Sequence, residues 1–348
     1  MTDFVLRRAG ALAADLRKVD LVWVIILLIP LLIWMLDPLQ VREVLEIALS
    51  ALASTAPYIL VAVAMIGMLK ATGAEGVIAA AFKGQETRMI VLAALVGGLA
   101  PFCSCEVIPF VAALLAAGAP LAAVMAFWLA SPLMDPPTFA ITAGVLGPEF
   151  AIGKTIAAVT LGLMGGFAVK AMVGLGAFAD PLKARKTSCC GCGTNPFTGK
   201  PHWRFWEEAD RRRAFRDAGI ENGVFLLKWM SLAYLLEGLL IMYVPADRIA
   251  TVVGGEGLWP IVVGAFVGAP AYLNGYAAPA LIDGLMDKGM SDGAAMSFLV
   301  AGAVSSIPAM AAVFALVKRP VFALYLALGI GGAILSGVIF AATLSVMA

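Results

Sequence analysis

The sequence predicts an all-α polytopic membrane protein with about 8–10 membrane helices, some of them broken or re-entrant. Of its 348 residues, 62% are hydrophobic and only 14% are charged, whereas soluble domains average about 45–50% apolar and about 25% charged residues. The mean hydropathy is +0.96. Long uncharged tracts recur along the chain, and they lack the alternation of polar and apolar residues that marks an outer-membrane barrel.

The composition argues against several other classes of protein. A formal net charge of +1 does not suit a nucleic-acid-binding protein with a basic face. Five cysteines, an odd number, do not suggest a disulfide scaffold. The single histidine disfavours histidine-based catalysis, and no phosphate-binding Gly-rich motif is present. We therefore expect a non-enzymatic protein without a cofactor, whose partners are the lipid bilayer and a small molecule.

The apolar tracts and the charges predict how the chain is divided. The polar segment 180–222 holds nine of the 24 Lys and Arg residues, and four more precede the first apolar tract. By the positive-inside rule both segments face the cytoplasm of a bacterial-type inner membrane. The expected parts are a cytoplasmic amphipathic segment 1–20, an extra N-terminal helix 21–43, a first transmembrane repeat 44–178, a cytoplasmic cysteine-containing basic loop 179–222, and a second transmembrane repeat 223–348.

This topology requires one element of the first half to enter and leave the membrane on the same side. The best candidate is 89–118, because Pro101 and Pro109 interrupt it in the middle and proline blocks helix continuation. Two half-helices joined by a loop would form a re-entrant hairpin. The alternative is a broken helix that crosses fully, with the basic loop on the outside.

The second half repeats the first at a nearly constant spacing. Three proline pairs carry the match, and their spacing grows by only one position from each pair to the next: Pro101 with Pro270, Pro109 with Pro279, and Pro137 with Pro308. With one hairpin in each half, the halves should be inverted repeats. Paired interruptions at matching positions point to a transporter substrate site near the membrane midplane.

The strongest chemical motif is Cys103-Ser104-Cys105-Glu106, between the first two prolines. In an unwound segment residues two apart face the same way, so both thiols reach one ligand. Thiolates select soft metals and metalloids, and paired thiols also exchange with disulfides. An acid at membrane depth is costly unless it is functional. In the proline register, Tyr272 stands opposite Cys103 and Asn274 opposite Cys105, where they would hydrogen-bond a polar substrate or simply cap a turn.

Two further acids lie in apolar tracts and are candidates for proton or cation coupling, together with Glu106. Asp135 follows Ser131-Pro132 and precedes Pro136 and Pro137; its repeat partner is Ser306. Glu237 lies one helical turn after Tyr234. The alternatives are an exposed loop acid for Asp135 and a satisfied structural acid for Glu237. The candidate hinge prolines are Pro101, Pro109, Pro132, Pro136, Pro137, Pro270, Pro279 and Pro308.

The basic loop carries a second thiol cluster, Cys189-Cys190-Gly191-Cys192, with His202 ten residues later. Three thiols and one imidazole match the ligand count of a Cys3His metal site. The spacing is tight for a zinc finger. A metal or metalloid capture site, a thiol-redox switch and a flexible loop all remain open.

Residues 100–109, with Cys103 and Cys105, and residues 131–136 together resemble the predicted permease family that includes the organoarsenical efflux (ArsP-type) and YraQ-type permeases. The resemblance covers about residues 45–345. It implies a polytopic inner-membrane permease, with Cys103 and Cys105 as the pair that contacts the substrate or undergoes redox chemistry. The loop cysteines look more like the YraQ-type branch, which leaves a glutathione-like thiol as open as an arsenical.

Two functions follow from these observations. The first is secondary transport, in the direction of efflux, of a metalloid, a soft metal or a glutathione-like thiol through the Cys-Ser-Cys-Glu site. The second is a membrane thiol-redox protein or sensor that exchanges with glutathione-like thiols or disulfides. A channel or structural role is disfavoured because intramembrane acids and helix breaks are costly to retain.

Overall fold

The computed structural model describes residues 21–74, 86–99, 107–116, 118–176, 202–243, 246–270 and 278–347. Within these ranges the chain is built from helices, with isolated bridges but no strand. The described helices are α1 (Leu21–Leu36), α2 (Val41–Thr72), α3 (Glu86–Gly97), α4 (Val107–Ala116), α5 (Leu121–Ala130), α6 (Pro136–Val145), α7 (Pro148–Gly174), α8 (Ala209–Tyr243), α9 (Ala246–Val253), α10 (Leu258–Gly268), α11 (Ala278–Met286), α12 (Asp292–Val304), α13 (Ile307–Leu316) and α14 (Arg319–Met347).

Three described helices, α7, α8 and α14, are long and apolar enough to cross a membrane. A fourth candidate is α2, which bends by 44° between Val41–Pro57 and Ile59–Thr72, at the proline that interrupts its hydrogen bonds. The other described helices have 8 to 16 residues. A span needs roughly 20, so most of the apolar tracts are divided into shorter helices. The prediction of an all-α polytopic membrane protein with broken helices is confirmed.

The repeat appears as a constant spacing between the helices of the two halves. The starts of α4, α5, α6 and α7 are separated from the starts of α11, α12, α13 and α14 by the same number of positions in all four pairs. Packing repeats at the same spacing: a Cβ on Gly97 would lie 2.8 Å from the carbonyl of Phe127, and Gly268 approaches the carbonyl of Phe298 in the same way. Only glycine permits such close helix contacts.

The two halves are inverted relative to each other, because counterpart helices run antiparallel. On α7, Gly153 lies against Phe340 of α14, whereas Leu161, further along α7, lies against Gly332, earlier in α14. The same holds for α2 and α8. Their contacts pair Val44 with Gly238, Thr55 with Tyr234 and Gly67 with Phe215.

The helices pack in three groups. The first repeat contributes α3, α5 and α7, and the second contributes the counterparts α10, α12 and α14; these two groups meet where α7 contacts α14 and α12. The third group consists of α1, α2 and α8. Both α5 and α12 are buried along nearly their whole length. The helices that precede the second break of each half, α5 and α12, therefore lie at the centre of the molecule.

The described boundaries differ from the predicted ones at two places. The helix α8 begins at Ala209, so the last part of the predicted loop 179–222 is helical. Arg213 and Asp210, three residues apart, form an exposed ion pair along this part of the helix. The helix α2 begins at Val41, slightly before the predicted first repeat. The predicted segment 1–20 lies outside the described residues.

Candidate functional site

Most residues of the two thiol motifs lie outside the described part of the chain. These are Cys103, Ser104, Cys105 and Glu106, their predicted partners Tyr272 and Asn274, the loop residues Cys189, Cys190 and Cys192, and the hinge residue Pro101. The structure does describe the helices next to these motifs. The geometry of those helices is therefore what bears on the predicted site.

The first thiol motif is bracketed by two short helices, and so is its counterpart in the second half. The helices α3 and α4 have 12 and 10 residues, and α10 and α11 have 11 and 9. At 1.5 Å per residue each is about 14–18 Å long, roughly half of a hydrocarbon core of about 30 Å. Val107 and Ala278, at the starts of α4 and α11, are buried. The helices that follow the thiol motif and its counterpart therefore both start in the interior of the protein.

The two halves exchange contacts through these short helices. The helix α4 of the first repeat contacts α13 of the second, and α11 of the second contacts α6 of the first. Each helix that follows a predicted substrate loop therefore packs against the helix that follows the other half's second break. The contacts between the two halves are therefore reciprocal for these described helices.

The spacing of the described helices differs from the proline spacing on which one predicted pairing rests. The spacing of Pro101 and Pro270 puts Tyr272 opposite Cys103, but the described helices on both sides of the loops keep a spacing that is two positions longer. Cys103, Tyr272 and Asn274 lie outside the described residues, so their pairing stays a prediction. The shorter proline spacing arises because Pro270 follows α10 by two residues, whereas Pro101 follows α3 by four.

The hinge prolines lie at helix ends wherever they are described. Pro136 and Pro137 are the first two residues of α6, and Pro308 is the second residue of α13. Proline is tolerated there because the first N–H groups of a helix have no intrahelical acceptor. The remaining described positions are Pro132 in the turn after α5, Pro270 in the turn after α10, Pro279 in the first turn of α11 and Pro109 in the first turn of α4.

Asp135 caps the helix that follows the first half's second break. Its backbone is extended, and its Oδ1 accepts a hydrogen bond from the backbone N–H of Thr138 at 2.7 Å. A carboxylate at a helix N-terminus also interacts favourably with the helix dipole. Asp135 is only partly buried. Its side chain therefore has a structural task, and a coupling role would have to be added to that task.

Ser306 holds the equivalent position in the second half, as the N-cap residue of α13. It also has an extended backbone, but its side chain makes no capping hydrogen bond. Ser306 is fully buried, and its hydroxyl has no hydrogen-bond partner among the described residues. The neighbouring Ser305 differs, because its hydroxyl donates to the carbonyl of Ala301 at 2.9 Å.

An aromatic pair joins the two breaks at the centre of the molecule. Trp128, in the last turn of α5, stacks on Tyr325 of α14 with ring centroids 4.8 Å apart. The Tyr325 hydroxyl donates to the carbonyl of Val304, the last residue of α12. The indole N–H of Trp128 and the hydroxyl of Ser131 are buried without a partner among the described residues.

Lys154 was not selected from the sequence, yet it is one of the few buried charges in the described chain. It lies in the second turn of α7 and is only 2% exposed, and Asp135 is the acid whose charge acts on it. A helical pattern could have found it. Lys154 shares one face of α7 with the buried residues Ala151, Ala158 and Leu161.

Glu237 is buried in α8, as the apolar sequence around it suggests. One turn earlier, Tyr234 donates from its hydroxyl to Thr55 of α2 at 3.0 Å. Next to Glu237, Gly238 lies against the backbone of Val44. Glu237 is thus a buried acid on the helix that packs against α2.

His202 takes part in a docking contact at the end of α2. Its backbone N–H donates to the carbonyl of Thr72, and its Nδ1 lies 2.9 Å from Oε1 of Glu208. Arg211 binds the other oxygen of Glu208 at 2.7 Å and also donates to the carbonyl of Ala71. The described residues contain no group of three or more potential metal ligands, so they do not test the predicted Cys3His site.

The same docking contact shifts one pKa. The hydrogen bond from Arg211, followed by the charges of Arg211 and His202, lowers the pKa of Glu208 below its ordinary value. Partial desolvation acts in the opposite direction and is outweighed. The Glu208 carboxylate is therefore held in its charged form, which keeps the residues before α8 attached to the end of α2.

Comparison with known families decides the class of protein. The sequence model of a family described as predicted permeases, of the ArsP type, matches residues 40–342. This match covers both repeats and every described helix from α2 to α13. The chain belongs to this predicted permease family. It is accordingly an integral membrane permease with a small-molecule substrate, and its class indicates transport rather than enzymatic catalysis.

One curated relative of this permease is the UPF0718 protein YcgR of Bacillus subtilis strain 168. The two are 34% identical over 91 residues, which is 26% of this chain and 31% of the relative. The match thus spans about a third of the relative's length. No solved structure matches the chain.

Proposed function

We propose that this permease is a secondary transporter that exports a thiol-reactive or thiol-containing small substrate through a site formed by Cys103, Ser104, Cys105 and Glu106. The observation that carries the proposal is the set of four half-length helices, α3, α4, α10 and α11. In sequence, the thiol motif lies between the first two of these helices and its counterpart lies between the other two, at matching interruptions of two inverted repeats. In transporters of this construction, such interruptions hold the substrate near the midplane.

The chemistry of the motif fits soft substrates. Two thiols separated by one residue suit a metalloid or soft metal ion, because soft ligands prefer soft acceptors. Glu106 would accept the proton that a thiol loses when it binds such a substrate. Asn274 of the second half adds a neutral hydrogen-bonding group. A glutathione-like thiol would bind through the same residues, either directly or as a conjugate.

Coupling is assigned to the intramembrane charges. Asp135, at the second break of the first half, acts by its charge on the buried Lys154, and Glu237 is buried in α8. Neutralising one member of a buried pair is costly, so protonation of Asp135 would change the relative stability of the two orientations of the repeats. The proposed orientation places the N-terminus and residues 179–222 in the cytoplasm of the inner membrane, where Cys189, Cys190 and Cys192 would meet the substrate first.

The test is a binding measurement on the purified full-length protein. Isothermal titration with Cd²⁺, a trivalent arsenical and glutathione should show binding of at least one ligand. The Cys103→Ser/Cys105→Ser variant should lose that binding, by at least about tenfold, with an unchanged melting temperature. The matched control is Cys189→Ser/Cys190→Ser/Cys192→Ser, which should keep it. Unchanged binding by the first variant would overturn the proposed site.

A further inference from the structure

The N-terminus of α13 is a helix end whose N-cap side chain makes no capping hydrogen bond. The first N–H groups of a helix have no intrahelical acceptor, and a capping side chain or a ligand usually satisfies them. Ser306 stands at that position but makes no such bond. Its hydroxyl is fully buried and has no partner among the described residues. A buried hydroxyl without a partner is costly, so this position favours an additional polar group.

The other repeat shows what kind of group fits there. At the matching helix, α6, the N-terminus is closed by the carboxylate of Asp135, which accepts the Thr138 N–H at 2.7 Å. Both capping residues are extended, with ψ of 165° for Asp135 and 151° for Ser306. The residue equivalent to Thr138 is Ala309. One repeat therefore carries its own carboxylate where the other presents only a short neutral side chain.

We infer that the N-terminus of α13 is a binding site for the carboxylate of a small molecule, held by the Ser306 hydroxyl and by the first backbone N–H groups of the helix. The bound carboxylate takes the place that the Asp135 side chain takes at α6. Charge supports a carboxylate over a cation, because a helix N-terminus carries a partial positive charge.

The position of this site suits a substrate pathway. Ser306 follows Val304 by two residues, and Val304 accepts the hydroxyl of Tyr325, on which Trp128 stacks. The site thus lies beside the junction of the two repeats. The helix α13 is not one of the two helices that flank the cysteine motif in sequence, and the inference does not rest on the proposed thiol chemistry.

The experiment measures the melting temperature of the purified full-length protein in increasing acetate, with acetamide and chloride at matched ionic strength as controls. Acetate should raise the melting temperature of the wild type by about 2 °C as the site fills, because a ligand that binds only the folded state stabilises it. Acetamide and chloride should not. No shift with acetate would mean that water alone fills the site and would overturn the inference.

Variants at two adjacent serines make the test specific. Ser306→Asp supplies a built-in carboxylate, so it should melt at or above the wild-type temperature and lose the response to acetate. Ser306→Ala should fold and bind acetate about tenfold more weakly, because it removes a hydrogen bond to a charged group. Ser306→Ala therefore still tests the site if Ser306→Asp does not fold. The matched control is Ser305→Ala, which should keep the full response, since the Ser305 hydroxyl is already bound to Ala301.

Two results would contradict the site. One is an acetate response that persists in Ser306→Ala at wild-type strength; the other is an equal loss in Ser305→Ala. Cys103→Ser/Cys105→Ser should respond to acetate like the wild type. That outcome separates this site from the proposed thiol site, because either can fail without the other.

Discussion

At the scale of single residues, the two repeats differ in how they cap two equivalent helices. Asp135 and Ser306 are both N-cap residues after a helix break, at equivalent positions of the two repeats. The Asp135 carboxylate accepts a hydrogen bond from the first turn of its helix, whereas the Ser306 hydroxyl has no hydrogen-bond partner among the described residues. Equivalent backbone positions thus carry unequal side-chain chemistry in the two repeats.

Substitutions at Asp135 separate its capping role from its charge. Asparagine also caps helices well, whereas alanine in place of a capping residue costs about 1 kcal/mol. Asp135→Ala should therefore lower the melting temperature more than Asp135→Asn. If Asp135 couples transport to protons, Asp135→Asn should keep its stability and lose transport in proteoliposomes. An Asp135→Asn protein that transports at the wild-type rate would exclude Asp135 from coupling.

The sequence predicts some of these residues and misses others for physical reasons. Asp135 stands out because it is a charge between prolines. Lys154 does not, because Glu149 lies nearby in sequence and the segment resembles an ordinary exposed loop. Its position on one helical face with Ala151 and Ala158 is the sequence signal that could have revealed it, and the structure shows that this face is buried. The unused hydroxyl of Ser306 depends on tertiary contacts and carries no sequence signal.

At the scale of helices, close packing between neighbouring helices of the same repeat depends on glycine. Gly97 and Gly268 both permit a helix to approach a neighbouring carbonyl, and both contacts lie at the same place in their repeats. Proline marks the ends of the same elements, which is why the broken tracts are predictable. The exact ends of helices are harder to predict from the sequence, because α8 includes a charged segment that hydropathy alone assigns to a loop.

Alanine substitutions test this packing. Gly97→Ala should destabilise the protein by roughly 1–3 kcal/mol, because the added methyl group meets a backbone carbonyl that has little room to move. Gly268→Ala should do the same. Gly144→Ala is the control: a Cβ there meets nothing within 4 Å, so the change should be neutral or slightly stabilising. Thermal unfolding in detergent measures all three, and an equal effect at Gly144 would argue against the packing account.

The contact between the residues before α8 and the end of α2 should depend on pH. The lowered pKa of Glu208 means that the folded state favours its charged form. This contribution is fully present above the ordinary carboxyl pKa and is lost as the pH falls through the lowered value. Local hydrogen exchange at His202 should therefore be slow near neutral pH, after correction for intrinsic rates, and faster in acid.

Glu208→Gln provides the control for that measurement. It removes the charge while keeping the size of the side chain, so exchange at His202 should be fast already at neutral pH and should change little with acid. The same pH dependence in wild type and Glu208→Gln would assign the transition to another group. Global stability should shift only slightly, because the pair is exposed to solvent.

At the scale of the whole molecule, the fold is an inverted duplication in which α7 packs on α14 and α2 packs on α8. The duplication and its approximate period are predictable because matching prolines recur in both halves, and the inversion is predictable from the positions of the basic segments. The exact register is not, since Pro101 and Pro270 lie at different distances from their helices. Antiparallel packing of counterparts is the arrangement that lets two halves rock about a central site.

The most direct test of the central claim is transport by the protein in liposomes. Uptake of Cd²⁺, a trivalent arsenical and glutathione should be measured for the wild type, for Cys103→Ser/Cys105→Ser, and for the variant that lacks the three loop cysteines. We predict that the wild type transports at least one of the three, that the loop variant retains this activity, and that the double variant loses it by at least about tenfold. Full transport by the double variant, or no transport of any of the three by the wild type, would contradict the account.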